Sequence, residues 1–118
     1  MLAKKHRLNL TLTENSQMFK GGLSQQIKGK KLLFYYRSNK VGLRIAALAP
    51  SRIFPEAYQR NHHRRLLYNL IIKKNKKMIE AKKETLFNKN IDLIIIYKNR
   101  DFKISDLEED LNIFLKQI

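Results

Sequence analysis

Three histidines, a run of arginines and several aromatic side chains are the residues of this chain that could act on a polyanion. A histidine pair flanking one phosphate could cut RNA by general acid and base catalysis, since imidazole titrates near neutral pH. The three are His6, His62 and His63. His62 and His63 are adjacent, so on a helix their side chains diverge by about 100° and cannot flank one phosphate. His63 falls on an apolar arc and reads as a buried, satisfied histidine. His6 could join the others only through a fold that the sequence does not reveal. The chain has no cysteine, which removes disulfides and thiolate metal sites together. Its carboxylates gather near the C-terminus, so no metal cluster is expected.

The arginines carry more information. Projecting Ser51–Arg65 and the residues that follow on a helical wheel, about 100° per residue, brings Arg60, Asn61, Arg64, Arg65 and Tyr68 onto one arc of roughly 0–140°. Leu66, Leu67, Leu70 and His63 share another arc, roughly 240–340°. One helix therefore has a core face and, beside it, a face of three guanidinium forks with neutral hydrogen-bonding and stacking partners. Forks of this kind suit phosphate, and the mixture suits RNA better than a plain charged surface.

Aromatic residues stand where a base could stack: Phe19, Phe34, Tyr35 and Tyr36. Side chains alternate along a strand, so Tyr35 faces away from Phe34 and Tyr36. One of the two sets must leave the main core or cover a second layer. Base–aromatic stacking contributes about 1–3 kcal/mol per base and tolerates any sequence.

Composition agrees with a polyanion partner. The chain has 118 residues, 43% of them hydrophobic, which is enough for one small core and predicts a single domain over 1–118. Lys plus Arg number 25 against 10 Asp plus Glu, a formal net charge of +15. Such an excess repels itself unless a polyanion relieves it, and nucleic acid rewards clustered cations by counterion release. No apolar stretch is long enough to span a bilayer, and no apolar run follows the basic start as in a signal peptide. A cytoplasmic protein without membrane partners is expected; a membrane-surface role would need a broad apolar face that the basic helix does not have to spare.

The elements that must position these residues follow from pattern. Thr11 and Glu14 have capping-box spacing, and Gly21-Gly22 suits a helix end, so a first helix is expected to end near Lys20. Ser24–Lys30 suits a short edge strand or a loop. Lys31–Arg37 and Val41–Ala49 read as strands, joined through Ser38-Asn-Lys40 into an expected antiparallel hairpin. A long helix should run from near Glu56 to about Lys83. The β-branched run Ile91–Tyr97 has the pattern of a central strand covered on both faces. Ser105 and Glu108 suggest a second capping box opening a final helix, with Leu107, Leu111, Phe114 and Leu115 inward. Glu108, Glu109, Asp110 and Asn112 are expected to face water. The sum is a two-layer α/β sandwich of order α-β-β-β-α-β-α.

In its ordered motifs the chain resembles the protein subunit of bacterial ribonuclease P. Residues 1–8 read Met-Leu-Ala-Lys-Lys-His-Arg-Leu, close to the family's opening, and Phe19-Lys20-Gly21-Gly22 matches its first helix end. Ser51-Arg52, Ala57, Arg60-Asn61, Arg64 and Arg65 fall in register with the family's basic signature. Asp92–Tyr97 and Ser105–Lys116 match its closing strand and acidic helix. There are departures. His62 and Tyr68 stand where arginines are usual, Ile53-Phe54-Pro55 replaces a stretch with a basic residue and a glycine, and an aromatic is missing near Asn15. The chain is thus similar to a divergent member.

The resemblance implies a mixed four-stranded sheet (ribosomal protein S5 domain 2-like) with a left-handed β-α-β crossover, against the usual right-handed rule. It implies an auxiliary subunit of a ribonucleoprotein endonuclease whose catalyst is RNA, removing the 5′ leader from precursor tRNA. The partners would be the catalytic RNA, one protein per RNA, and leader-bearing precursor tRNA. No cofactor would be bound by the protein alone; Mg²⁺ would be held chiefly by RNA, and no residue of this chain would be catalytic. Arg60, Asn61, His62, Arg64, Arg65 and Tyr68 would contact the RNA subunit. Phe19, Tyr35 and Arg52 would line the leader site, with Lys4, Lys5 and Arg7 adding phosphate contacts. The competing reading is a generic RNA-binding or ribosome-associated module, which composition alone does not separate from the first.

Overall fold

The computed structural model of the protein describes residues 6–8, 25–82 and 86–118. In order these form β1 (Gln25–Lys28), β2 (Leu32–Ser38), β3 (Arg44–Leu48), the long helix α1 (Ala57–Glu80), a 3₁₀ turn (Leu86–Asn88), β4 (Ile91–Tyr97) and α2 (Ile104–Gln117). The helix expected before them, with Thr11, Glu14, Asn15 and Phe19, lies outside the described residues.

The sheet has the spatial order β1-β2-β4-β3. β4 lies inside the sheet between β2 and β3, and every residue in it but Ile96 is buried. β2 pairs with β4 antiparallel, and β3 pairs with it in parallel. The hairpin expected between residues 31–37 and 41–49 is therefore absent: β4 is inserted between them. The turn chemistry serves a wider connection instead. Asn39 Oδ1 accepts the N–H groups of Val41 and Gly42, both at 3.1 Å, and its Nδ2 donates to Asp92 Oδ1 at 2.7 Å. Gly42 has φ of +102°, a region L side chains avoid. β1 is the edge strand on the other side, paired with β2. The β3-α1-β4 unit supplies the parallel crossover.

Strand alternation sends two sets of residues to two faces. Phe34, Ile45, Ala47, Leu93, Ile95 and Tyr97 meet Leu67, Leu70 and Ile71 of α1 and Leu107, Leu111 and Phe114 of α2 in the main core. Phe34 stacks on Phe114 with ring centroids 4.7 Å apart. On the opposite face Ile94 and Ala46 are buried with Leu8, and Tyr35, Leu48 and Ile96 pack around them. Leu8 is held there by donating its N–H to the Ile45 carbonyl at 2.8 Å.

Two expectations for the C-terminal helix are corrected. It begins two residues earlier than the Ser105 cap: the Lys103 N–H donates to Asp106 Oδ2 at 3.0 Å, closing the first turn from its third residue. Asp110 does not face water but is fully buried. Its carboxylate accepts the N–H groups of Lys30, Lys31 and Leu32 at 3.0, 2.8 and 3.0 Å. These bonds satisfy three donors of the β1–β2 turn, and they offset the cost of burying the carboxylate. A Cβ on Gly29 would lie 2.6 Å from the Asp110 carboxyl carbon, so the turn needs glycine for space.

Candidate nucleic-acid interface

The arginine face is built from the loop before α1. Pro50 O accepts the N–H groups of Ile53 at 3.0 Å and Phe54 at 2.8 Å, curling the chain. Phe54 enters the core, its ring stacked on His63 at 4.1 Å and edge-on to Tyr97 at 5.2 Å. This accounts for the Ile53-Phe54-Pro55 departure, since Phe54 supplies packing where the family pattern has loop chemistry. Pro55, with no N–H to lose, then leads into Glu56, whose carbonyl accepts the first helical bond from Arg60 at 3.1 Å.

Arg60 reaches back over this loop. Its Nη1 donates to the carbonyls of Phe54 at 3.0 Å and Pro55 at 2.8 Å, so part of the guanidinium fastens the loop and part remains for a ligand. Arg64 Nη2 donates to Asn61 Oδ1, joining two residues of the same ridge. Asn61, His62 and Arg65 are exposed, while Arg60 and Arg64 are half-buried. Arg52 is exposed on the turn just before the helix. Tyr68 diverges from the group: its hydroxyl accepts the Ala47 N–H of β3 at 3.1 Å, which ties the helix to the sheet edge. A hydroxyl that accepts there still has its hydrogen to donate.

Tyr35 lies elsewhere, on the sheet face turned away from the helices, where Gln26 Nε2 donates to its hydroxyl at 3.3 Å. Next to it in register is the row Arg37–Asp92–Arg44. Arg44 grips Asp92 with Nε at 2.7 Å and Nη2 at 2.8 Å, and Arg37 Nε adds a bond at 3.0 Å. Burial alone would raise the Asp92 pKa; hydrogen bonds from Arg44, Asn39 and Arg37 outweigh it and hold the carboxyl below its ordinary value. The pattern "apolar strand with one Asp" did not disclose this network, because its partners come from three different segments. Arg7 is exposed at the β3 edge, bridged to Ile45. Phe19, Lys4 and Lys5 lie outside the described residues.

The histidines do not converge. His63 Nδ1 sits 2.6 Å from the Gln59 carbonyl oxygen, which can only accept, so that nitrogen carries the hydrogen. Its own carbonyl accepts from the buried Tyr97 hydroxyl at 2.7 Å, and burial pushes that phenol's pKa up. His6 contacts the Leu43 carbonyl at 2.9 Å, at the Asp92 end of the sheet. Asp92 and Tyr97 are separated by about 16 Å of strand at 3.3 Å per residue, so His6 and His63 cannot share a phosphate. Among the described residues no three of His, Cys, Asp and Glu gather to hold a metal ion, and no helix is long and apolar enough to cross a membrane.

Two surface features of α1 were not singled out from the sequence. Tyr58 is 70% exposed one turn before His62. Lys73, Lys74 and Lys77 line a cleft between α1 and α2.

Comparison with known proteins completes the assignment. The fold matches the RNase P protein from Thermotoga maritima with a TM-score of 0.70 at 20% identity, covering 95% of this chain and 96% of that one. It also matches the Staphylococcus aureus RNase P protein with a TM-score of 0.62 at 16% identity, covering 95% and 94%. A mutant of the S. aureus protein described as defective in mRNA degradation activity matches at 0.66 and 16%, covering 97% and 88%. No curated protein matches the chain in sequence. The family model described as Ribonuclease P, however, matches residues 2–118, and it does so on a chain whose sheet order, crossover and basic helix have the arrangement just described. The chain belongs to the ribonuclease P protein family.

Proposed function

We propose that this chain is the RNA-binding subunit that assists a catalytic RNA in removing 5′ leaders from precursor tRNA. The observation that carries the reading is the separation of two surfaces by the sheet edge. A guanidinium ridge lies on α1 (Arg60, Arg64, Arg65 with Asn61 and His62), and a half-buried aromatic, Tyr35, lies on the opposite sheet face. Fork-shaped cations suit the phosphates of a structured RNA, and a half-buried aromatic suits splayed single-stranded bases. The ridge docks the RNA subunit, and Tyr35 takes a leader base, with Arg52 and Phe19 as further leader contacts. Lys4, Lys5 and Arg7 add phosphate contacts, and Tyr68 contributes to docking through its remaining hydroxyl hydrogen. Cleavage belongs to the RNA, with Mg²⁺ held chiefly by RNA and substrate.

The test compares leader-bearing precursor with mature tRNA in binding to the reconstituted holoenzyme. Tyr35→Ala should weaken precursor binding about 5–150-fold, the equivalent of about 1–3 kcal/mol of stacking, and leave mature tRNA unchanged. Equal losses for both substrates would remove Tyr35 from the leader site.

A further inference from the structure

The long helix is basic on two flanks, and only one of them belongs to the arginine ridge. Beyond Tyr68 it carries Lys73, Lys74 and Lys77, which with Leu70 line one wall of a cleft of about 40 Å³. Glu108 and Leu111 of α2 form the other wall. The three ion pairs found among the described residues all lie elsewhere, at Lys30–Glu109, Arg37–Asp92 and Arg44–Asp92. The cleft is thus lined by three lysines and one glutamate, none of them in those ion pairs, a net excess of two positive charges. Leu70 and Leu111 give the lysine stems apolar surface to lie along while the ammonium groups stay in water.

The position of this cleft matters. Stepping about 100° per residue from Arg60, the ridge centres at roughly 70°, Lys73 and Lys77 at roughly 240°, on the opposite flank, and Lys74 at roughly 320°, on the side that packs against the core. They are also displaced along the axis, Arg64 and Lys73 by about 14 Å. One phosphate backbone seated on the ridge would have to wrap a helix about 10–12 Å thick to enter the cleft. The cleft has no aromatic lining residue, so it offers no stacking platform for unpaired bases. Point-charge ammonium groups without base contacts fit the backbone of a duplex.

We propose that the Lys73–Lys74–Lys77 cleft between α1 and α2 binds the phosphate backbone of a duplex RNA segment separate from the one docked on the arginine ridge. The protein then bridges two RNA segments through opposite flanks of one helix, with Glu108 weakening the second contact. The proposal rests on the RNA-binding reading of the ridge, but its test separates the two. Binding of the full chain to a 20-base-pair RNA duplex is measured by fluorescence anisotropy across a salt series. The wild type is compared with Lys73→Ala/Lys77→Ala, Glu108→Gln and Arg64→Ala/Arg65→Ala, each checked for an unchanged thermal melt.

The double lysine variant should bind the duplex at least fivefold more weakly, with a log–log salt slope shallower by about 1.8, two contacts at about 0.9 each. Glu108→Gln should bind it at least twofold more tightly, a gain that a merely structural glutamate would not produce. A loss confined to the arginine variant, with the lysine variant and Glu108→Gln both equal to wild type, overturns the cleft and leaves the ridge standing. A loss confined to the lysine variant sustains the cleft and removes the ridge as a duplex contact.

Discussion

Arg60 holds the carbonyls of Phe54 and Pro55, and under the proposed function it would also face an RNA phosphate, so its removal is not a clean probe of either. Arg65, exposed and one turn further on, is cleaner, and His62 cleaner still. His62 is exposed in a place where an arginine would add a permanent charge and a fork of five N–H donors. Changing His62→Arg should tighten assembly with a bacterial ribonuclease P RNA by about 0.5–1 kcal/mol, two- to fivefold, read by filter binding at fixed salt. Unchanged affinity would place that position off the RNA.

Asp92 makes a prediction of a different kind. A carboxyl whose folded pKa lies below its unfolded value of about 3.9 contributes stability that is complete above that value. The contribution is lost as pH falls through the folded pKa. The wild type should therefore lose stability below about pH 4 more steeply than Asp92→Asn, and the variant should be the less stable of the two at pH 7. Urea titrations at pH 3 and pH 7 check both statements, and parallel losses would remove Asp92 from the acid response.

At the scale of elements, the acidic C-terminal helix is fastened to the sheet by one residue. Asp110→Ala leaves the N–H groups of Lys30, Lys31 and Leu32 buried without their acceptor, at about 1–3 kcal/mol for each that water cannot reach. A loss of about 3–5 kcal/mol in urea unfolding is expected, a large share of the about 5–15 kcal/mol that holds a domain folded. A loss under 1 kcal/mol would mean that the turn finds other acceptors. Asp110 was illegible in the sequence because it sits among Glu108 and Glu109, with the spacing of a solvated face. What buries it is a turn 78 to 80 residues away. The elements whose own residues dictate them were legible: α1 from its periodicity, β4 to the residue from its β-branched run, and α2 from its apolar stripe. The separation of β2 from β3 was not, because sequence neighbours suggest a hairpin and only the later insertion of β4 displaces it. The arginine ridge was legible because helical spacing fixes it locally. The exit of Tyr68 toward Ala47 depends on where the sheet edge falls, which no local pattern contains.

For the whole molecule, a charge of +15 on 118 residues is a standing cost of self-repulsion that RNA relieves. The two-layer architecture distributes that charge. Helix α1 carries the ridge and the lysine cleft, α2 carries most of the acids near the C-terminus, and the far sheet face keeps Tyr35 on an apolar floor. His6 and His63 are both engaged with backbone carbonyls, at Leu43 and Gln59.

The central claim is tested most directly by precursor-tRNA cleavage at moderate Mg²⁺ with a bacterial ribonuclease P RNA, with and without this protein, alongside the protein alone. The account predicts that the protein stimulates cleavage, that stimulation requires the RNA, and that the product has the mature 5′ end. Cleavage by the protein alone, or no stimulation of any ribonuclease P RNA including the cognate one, would contradict it.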